Sequence, residues 1–108
     1  MARTQEDRQT IAQIAGTAAR YSRESLSAEA RQAAILEMTE VAGGRSDLLA
    51  EHAGVVVGMH EGDTDEARYL RAAQLCVEAG ADKSLIPHWI EVGRHQARDL
   101  QAGRQTAR

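Results

Sequence analysis

Through most of the chain, apolar residues recur every three or four positions, the spacing that gathers them on one face of an α-helix. Start and stop signals cut this pattern into five predicted helices. The first runs from about Thr4 to Arg20, with Thr4 as N-cap and Glu6 and Asp7 in the first turn, where the helix dipole favours acids. Ile11, Ile14, Ala15 and Ala18 make only a thin stripe, so this helix is expected to lie over a core built by the others. A second helix follows the Ser25-Leu26-Ser27 cap, from about Ala28 to Val41, and buries Ala34, Ile35, Met38, Val41 and Ala42. Gly43 and Gly44 end it, because glycine accepts the left-handed conformation that closes a helix.

Ser46 is expected to cap a third helix, about Asp47 to His60, which a short connection folds back on the second as a hairpin. Its Ala50, Gly54 and Gly58 stand at four-residue steps. Each mid-helix glycine costs about 1 kcal/mol relative to alanine, so close backbone approach must offset it. The neighbour is either another helix of the same chain or a second copy, and Ala50, Gly54 and Gly58 form the candidate self-association face. Val55-Val56-Val57 could instead be a short strand, but it lacks a partner strand.

Asp63 or Thr64 begins the fourth helix, with Glu66 at the capping-box position if Asp63 is the cap, and Gly80 stops it. The fifth begins near Asp82 or Ser84 and carries the clearest stripe: Ile86, Trp89, Ile90, Gly93, Ala97 and Leu100. Trp89 and Ile90 are expected to anchor the core, so that Trp89→Ala would cost about 3–5 kcal/mol. Residues 1–4 and 103–108 are expected to be disordered. The fold class is all-α, a compact array of about five short helices in one domain, 1–108.

Composition agrees with the periodicity. Alanine, the best helix former, occurs 20 times; phenylalanine is absent and the aromatics are Tyr21, Tyr69 and Trp89. The net charge of −3 is unevenly spread: +2 over residues 1–23, −8 over 24–82 and +3 over 83–108. That pattern is no nucleic-acid footprint overall, although the basic last helix could supply one locally. The one cysteine, Cys76, excludes an internal disulfide and any multi-cysteine metal site, and its helical surroundings predict a buried, inert thiol. The polar first ten residues are no secretory signal, and the longest apolar run, around Val55 to Val57, is far short of a membrane span. The expected setting is the cytoplasm.

Chemistry is sparse. Cys76, Gly80, Ile86 and Trp89 stand at the steps of a helix-turn-helix within 70–100, and Lys83, Arg94 and Arg98 would then meet phosphates. Pro87 opposes this, since inside a recognition helix it removes a donor and clashes with the preceding turn. Placed in the first turn it would instead start the last helix near Ile86. His88, Glu91 and His95 share one face of that helix and could hold a metal, but no second helix adds ligands, and a solvated polar face is the better reading. Asp63-Thr64-Asp65 begins like a calcium loop and fails at Arg68, where glycine is needed. No phosphate-binding glycine loop and no nucleophile elbow is present.

The segment GADKSLIPHWIEVGR, residues 80–94, with GGRSDLLAEHAG upstream, resembles small actinobacterial helical proteins to which no activity is assigned. The resemblance covers about half the chain and implies a helical fold and a source, without a catalytic residue. The expected function is that of a small, non-enzymatic interaction or regulatory protein, without cofactor or metal, that binds a protein partner or itself and no membrane. The alternative is a DNA-binding accessory protein using the helix-turn-helix-like element at 70–100.

Overall fold

The computed structural model describes residues 3–106, with side chains described through Gly103. It contains five α-helices, α1 (Gln5–Tyr21), α2 (Ala28–Ala42), α3 (Ser46–Met59), α4 (Glu66–Glu78) and α5 (Ile86–Thr106), and a 3₁₀ turn at Lys83–Leu85. Among the described residues there is no strand, so Val55-Val56-Val57 is helical.

The helix boundaries follow local chemistry. The Thr4 hydroxyl accepts the Asp7 amide at 3.0 Å, and Ser27 accepts the Ala30 amide at 3.2 Å, so both predicted N-caps form. Gly43 at φ 57 closes α2, its N–H donating to the Thr39 and Glu40 carbonyls. Two starts differ from expectation. Ser46 is the first helical residue rather than the cap of α3, and its carbonyl accepts the Asp82 amide at 3.1 Å, tying the turn before α5 to the start of α3. Neither Asp63 nor Thr64 caps α4. Asp63 is drawn instead to His60, and α4 starts at Glu66, whose carboxylate takes the Gly62 amide at 3.0 Å.

α3 is the hub and touches every other helix. Ile14 and Ala18 of α1, Met38 of α2, Leu48, Leu49 and Ala53 of α3, and Leu75 and Cys76 of α4 fill one core. Helix one is thus part of the core, not a cover over it. The neighbouring pair joined by a short loop is α1–α2, while α2 and α3 barely meet, so the expected hairpin of α2 and α3 does not form. The thin stripe of α1 suffices because alanines on its neighbours bring the helices close.

α5 is the outlier. It packs on α3 and its own leading turn and makes at most a marginal contact with α4. Trp89 and Ile90 are accordingly half-buried at the α3–α5 seam instead of anchoring the core. The helix also runs on to Thr106, and Arg3 near the other end pairs with Glu51 at 2.6 Å, both within the stretches 1–4 and 103–108 for which disorder is expected. Residues 1–2 and 107–108, the remainder of that expectation, lie outside the described residues.

Candidate functional site

The glycine-stepped face of α3 is filled by α5. A β-carbon on Gly54 would meet the Ile86 carbonyl at 2.8 Å and the Ile90 amide at 3.0 Å; one on Gly58 would meet the Arg94 amide at 2.9 Å. Gly93 answers from α5, facing the Val55 carbonyl and, at 2.9 Å, the Met59 amide. Such contacts are tighter than side chains allow, so the two backbones touch. Gly54 and Gly58 are buried and Ala50 is fully buried, which makes this face an intrachain seam and leaves it unavailable to a second copy.

The same contacts fix the direction of α5. Residues 54 and 58 of α3 meet 86–90 and 90–94 of α5, so the two helices run parallel. α3 stops at Met59, beside Gly93, whereas α5 continues to Thr106. Beyond Ala97 it overhangs its partner for about ten residues, roughly 15 Å at 1.5 Å per residue. The stripe that packs on α3 does not stop with α3. Ala97 and Leu100 extend it, and Leu100 is 52% exposed. Between the overhang and the end of α3 lies an open cleft of about 390 Å³ lined by Gly58, Met59, His60, Glu61, Asp63, Ala97, Leu100 and Gln101.

One wall of the cleft is acidic and fixed. The His60 ring stacks on Tyr69 with centroids 3.6 Å apart and planes 6° from parallel, and its Nδ1 lies 2.9 Å from Asp63. Arg94 bridges Glu61, at 3.0 Å through Nη2, and Glu91. The guanidinium holds the Glu61 carboxyl below its usual range.

That engagement bears on the phosphate-contact residues. Arg94 is committed to two carboxylates, Arg98 is exposed on the overhang, and Lys83 is exposed in the 3₁₀ turn at the other end of α5. A helix-turn-helix also needs its two helices packed together, and α4 and α5 are not. The sequence spacing that suggested the motif arises differently: Cys76 is a core residue of α4, Gly80 at φ 110 follows the end of that helix, and Ile86 and Trp89 face α3. Pro87 stands second in α5, in the first turn where its missing N–H is tolerated.

His88 and His95 are exposed; His88 lies edge-on to Trp89, with ring centroids 4.9 Å apart, and Glu91 is paired with Arg94. Among the described residues, no three His, Cys, Asp or Glu side chains converge to hold a metal ion. Burial pushes the Cys76 thiol up to about 12 and the His52 imidazole down to about 4. Both shifts come from desolvation of the charged form.

A smaller cleft of about 200 Å³ lies between the α1–α2 loop and α4, against Leu26, Arg31, Arg71 and Leu75. Its cations already have partners: Arg31 grips Glu78, at 3.0 Å through Nε, and Arg71 donates to the Ser22 and Arg23 carbonyls at 2.9 and 3.1 Å. A ligand anion would have to displace them.

The exposed apolar end of α5 was not singled out by sequence reasoning. The stripe from Ile86 to Leu100 is about as long as α3 itself, and Leu100 is left uncovered because the two helices are staggered, which the stripe does not disclose. Among the described residues, no helix is long and apolar enough to cross a membrane. No family model, curated protein or solved structure matches this chain.

Proposed function

We propose that this chain is a non-enzymatic interaction module whose contact surface is the overhanging end of α5 and the cleft beneath it. The observation that carries the reading is the apolar stripe of α5, which continues past its partner helix to expose Leu100 over the cleft. A helix face of this kind is completed by another apolar surface, and burying a leucine side chain is worth about 1.5–3 kcal/mol. The wall of His60, Asp63 and Glu61 favours recognition over catalysis, since each of these side chains is already engaged by a neighbour.

A photo-cross-linking amino acid at position 100, introduced in cells, tests this directly. Cross-linking to a polypeptide at position 100, but not at the exposed Gln32 on α2, is the expected result. Equal labelling at both positions, or none at either, would sink the reading.

A further inference from the structure

We infer that α5 is an arm that opens from the rest of the fold as a unit, and that the segment leading into α1 is the clasp that holds it closed, through the Arg3 guanidinium seated over Trp89. The inference goes beyond the interaction reading above and stands without it. The buried core is drawn from α1 to α4 and Ala81; of α5, Ile86 alone packs against it, from the edge. α5 lies on α3 and the 3₁₀ turn and makes at most a marginal contact with any other helix. The face of α3 beneath it is Ala50, Gly54 and Gly58, so uncovering that face bares backbone and little hydrocarbon. Units that open below the global unfolding free energy are those with few buried apolar contacts, and α5 fits that description.

The clasp crosses from α1 to α5. Thr4 caps α1, so Arg3 stands just before that helix. Its Nε and Nη2 both donate to Glu51 Oε1, at 2.9 and 2.6 Å, and its Nη1 donates to Asp47 at 3.4 Å. Arg45 donates to Asp47 as well and to Asp7 at 2.8 Å, which knits the clasp to α1 and to the start of α3. The guanidinium carbon so held lies 5.8 Å from the centre of the Trp89 ring, within cation–π range. A second ionic tie, Arg94 to Glu61, joins α5 to the loop after α3, but its side chains are 43% and 42% exposed, and such pairs are worth little. Arg3 and Glu51 are 29% and 15% exposed, so solvent screens the clasp less. The turn before α5 stays pinned to α3 by the Asp82 amide on the Ser46 carbonyl, and the arm hinges where that turn meets Ile86. Opening takes Trp89 from under Arg3 and carries Ala97, Leu100 and Gln101 away from the cleft, which is then dismantled.

Native-state hydrogen exchange of the full chain, read by NMR, tests the arm and the clasp together. An opened α5 has lost the packing from which helices draw most of their stability in water, so its amides exchange. After correction for intrinsic rates, amides 90–97 are expected to exchange as one group, at least about tenfold faster than amides 72–76 in the core of α4. Arg3→Ala should raise the α5 rates by about three- to tenfold, the span of a cation–π contact and a partly screened ion pair, and leave the α4 rates unchanged. With Trp89→Leu already in place, the same Arg3→Ala should change the α5 rates by less than about twofold, because the ring it covers is gone. Arg31→Ala removes the pair with Glu78 between α2 and α4 and serves as the control, with no change expected in α5. Exchange of α5 and α4 at one common rate overturns the arm. An α5 that opens alone yet ignores Arg3→Ala, or answers to it equally without Trp89, overturns the clasp and the proposal with it.

Discussion

Gly58 of α3 and Ile90 of α5 meet backbone to backbone, the Ile90 carbonyl occupying the space that a β-carbon on Gly58 would need. No flexible side chain stands between them to give way, so an added methyl must part the helices. Gly58→Ala is therefore expected to destabilise the fold by about 1–3 kcal/mol, despite the gain of about 1 kcal/mol in helix propensity. Gly93→Ala, which meets the Val55 carbonyl, should behave alike. Urea unfolding followed by circular dichroism measures both. An unchanged or raised midpoint would mean the seam is looser than described.

Gly16 supplies the opposite sign. It lies mid-helix in α1, exposed, with nothing within 4 Å of a built β-carbon. Gly16→Ala should raise stability by about 0.5–1 kcal/mol, by propensity alone. The two substitutions are chemically identical, so their difference isolates the cost of helix approach. A loss of stability at Gly16 would show that α1 has a neighbour there.

The contrast marks what the sequence could disclose. The helices, their caps at Thr4 and Ser27 and the stop at Gly43 were legible because each depends on residues within a few positions. The glycine spacing on α3 correctly announced a close approach, but its partner lay about thirty residues away, and periodicity carries no information on which faces pair. Trp89 misled for a related reason. Its place on the clearest stripe implied the core, but α5 has one helical neighbour, so the ring stays half-buried, with the Arg3 guanidinium 5.8 Å from its centroid. Trp89→Ala should consequently cost about 2 kcal/mol, less than the 3–5 expected of a full core truncation. A loss in the full-core range, read by denaturation, would restore Trp89 to the core. The candidate surface at Leu100 depends on the axial stagger of two parallel helices, which no local signal encodes.

Cys76 reports global opening. It is fully buried among core residues, and desolvation pushes its thiol up to about 12, so thiolate is scarce at neutral pH. An alkylating reagent should label it only through unfolding, at a rate that falls as denaturant is withdrawn. Labelling of the native protein at the rate of an unfolded control would mean that α4 opens locally, detached from the rest of the core.

Acid should destabilise the fold in two separable stages. The His52 imidazole has an ordinary value of 6.5 and is lowered by burial to about 4 in the fold. Between those values the unfolded chain binds a proton that the folded chain refuses, so stability is full above 6.5 and falls as pH drops toward 4. With the ring half-buried and partly screened by solvent, the loss amounts to about 1–2 kcal/mol. Below that window a second loss begins. Arg45 holds Asp7 and Asp47 below their ordinary 3.8, with contacts of 2.8 and 3.1 Å, so their contribution is present above that value and disappears as they protonate. His52→Gln should flatten the stability profile between pH 6.5 and 4 and leave the lower stage intact, whereas Arg45→Gln should do the reverse. Urea midpoints collected across pH 3–7 would decide it. If His52→Gln left the upper slope unchanged, another buried base would have to be responsible for it.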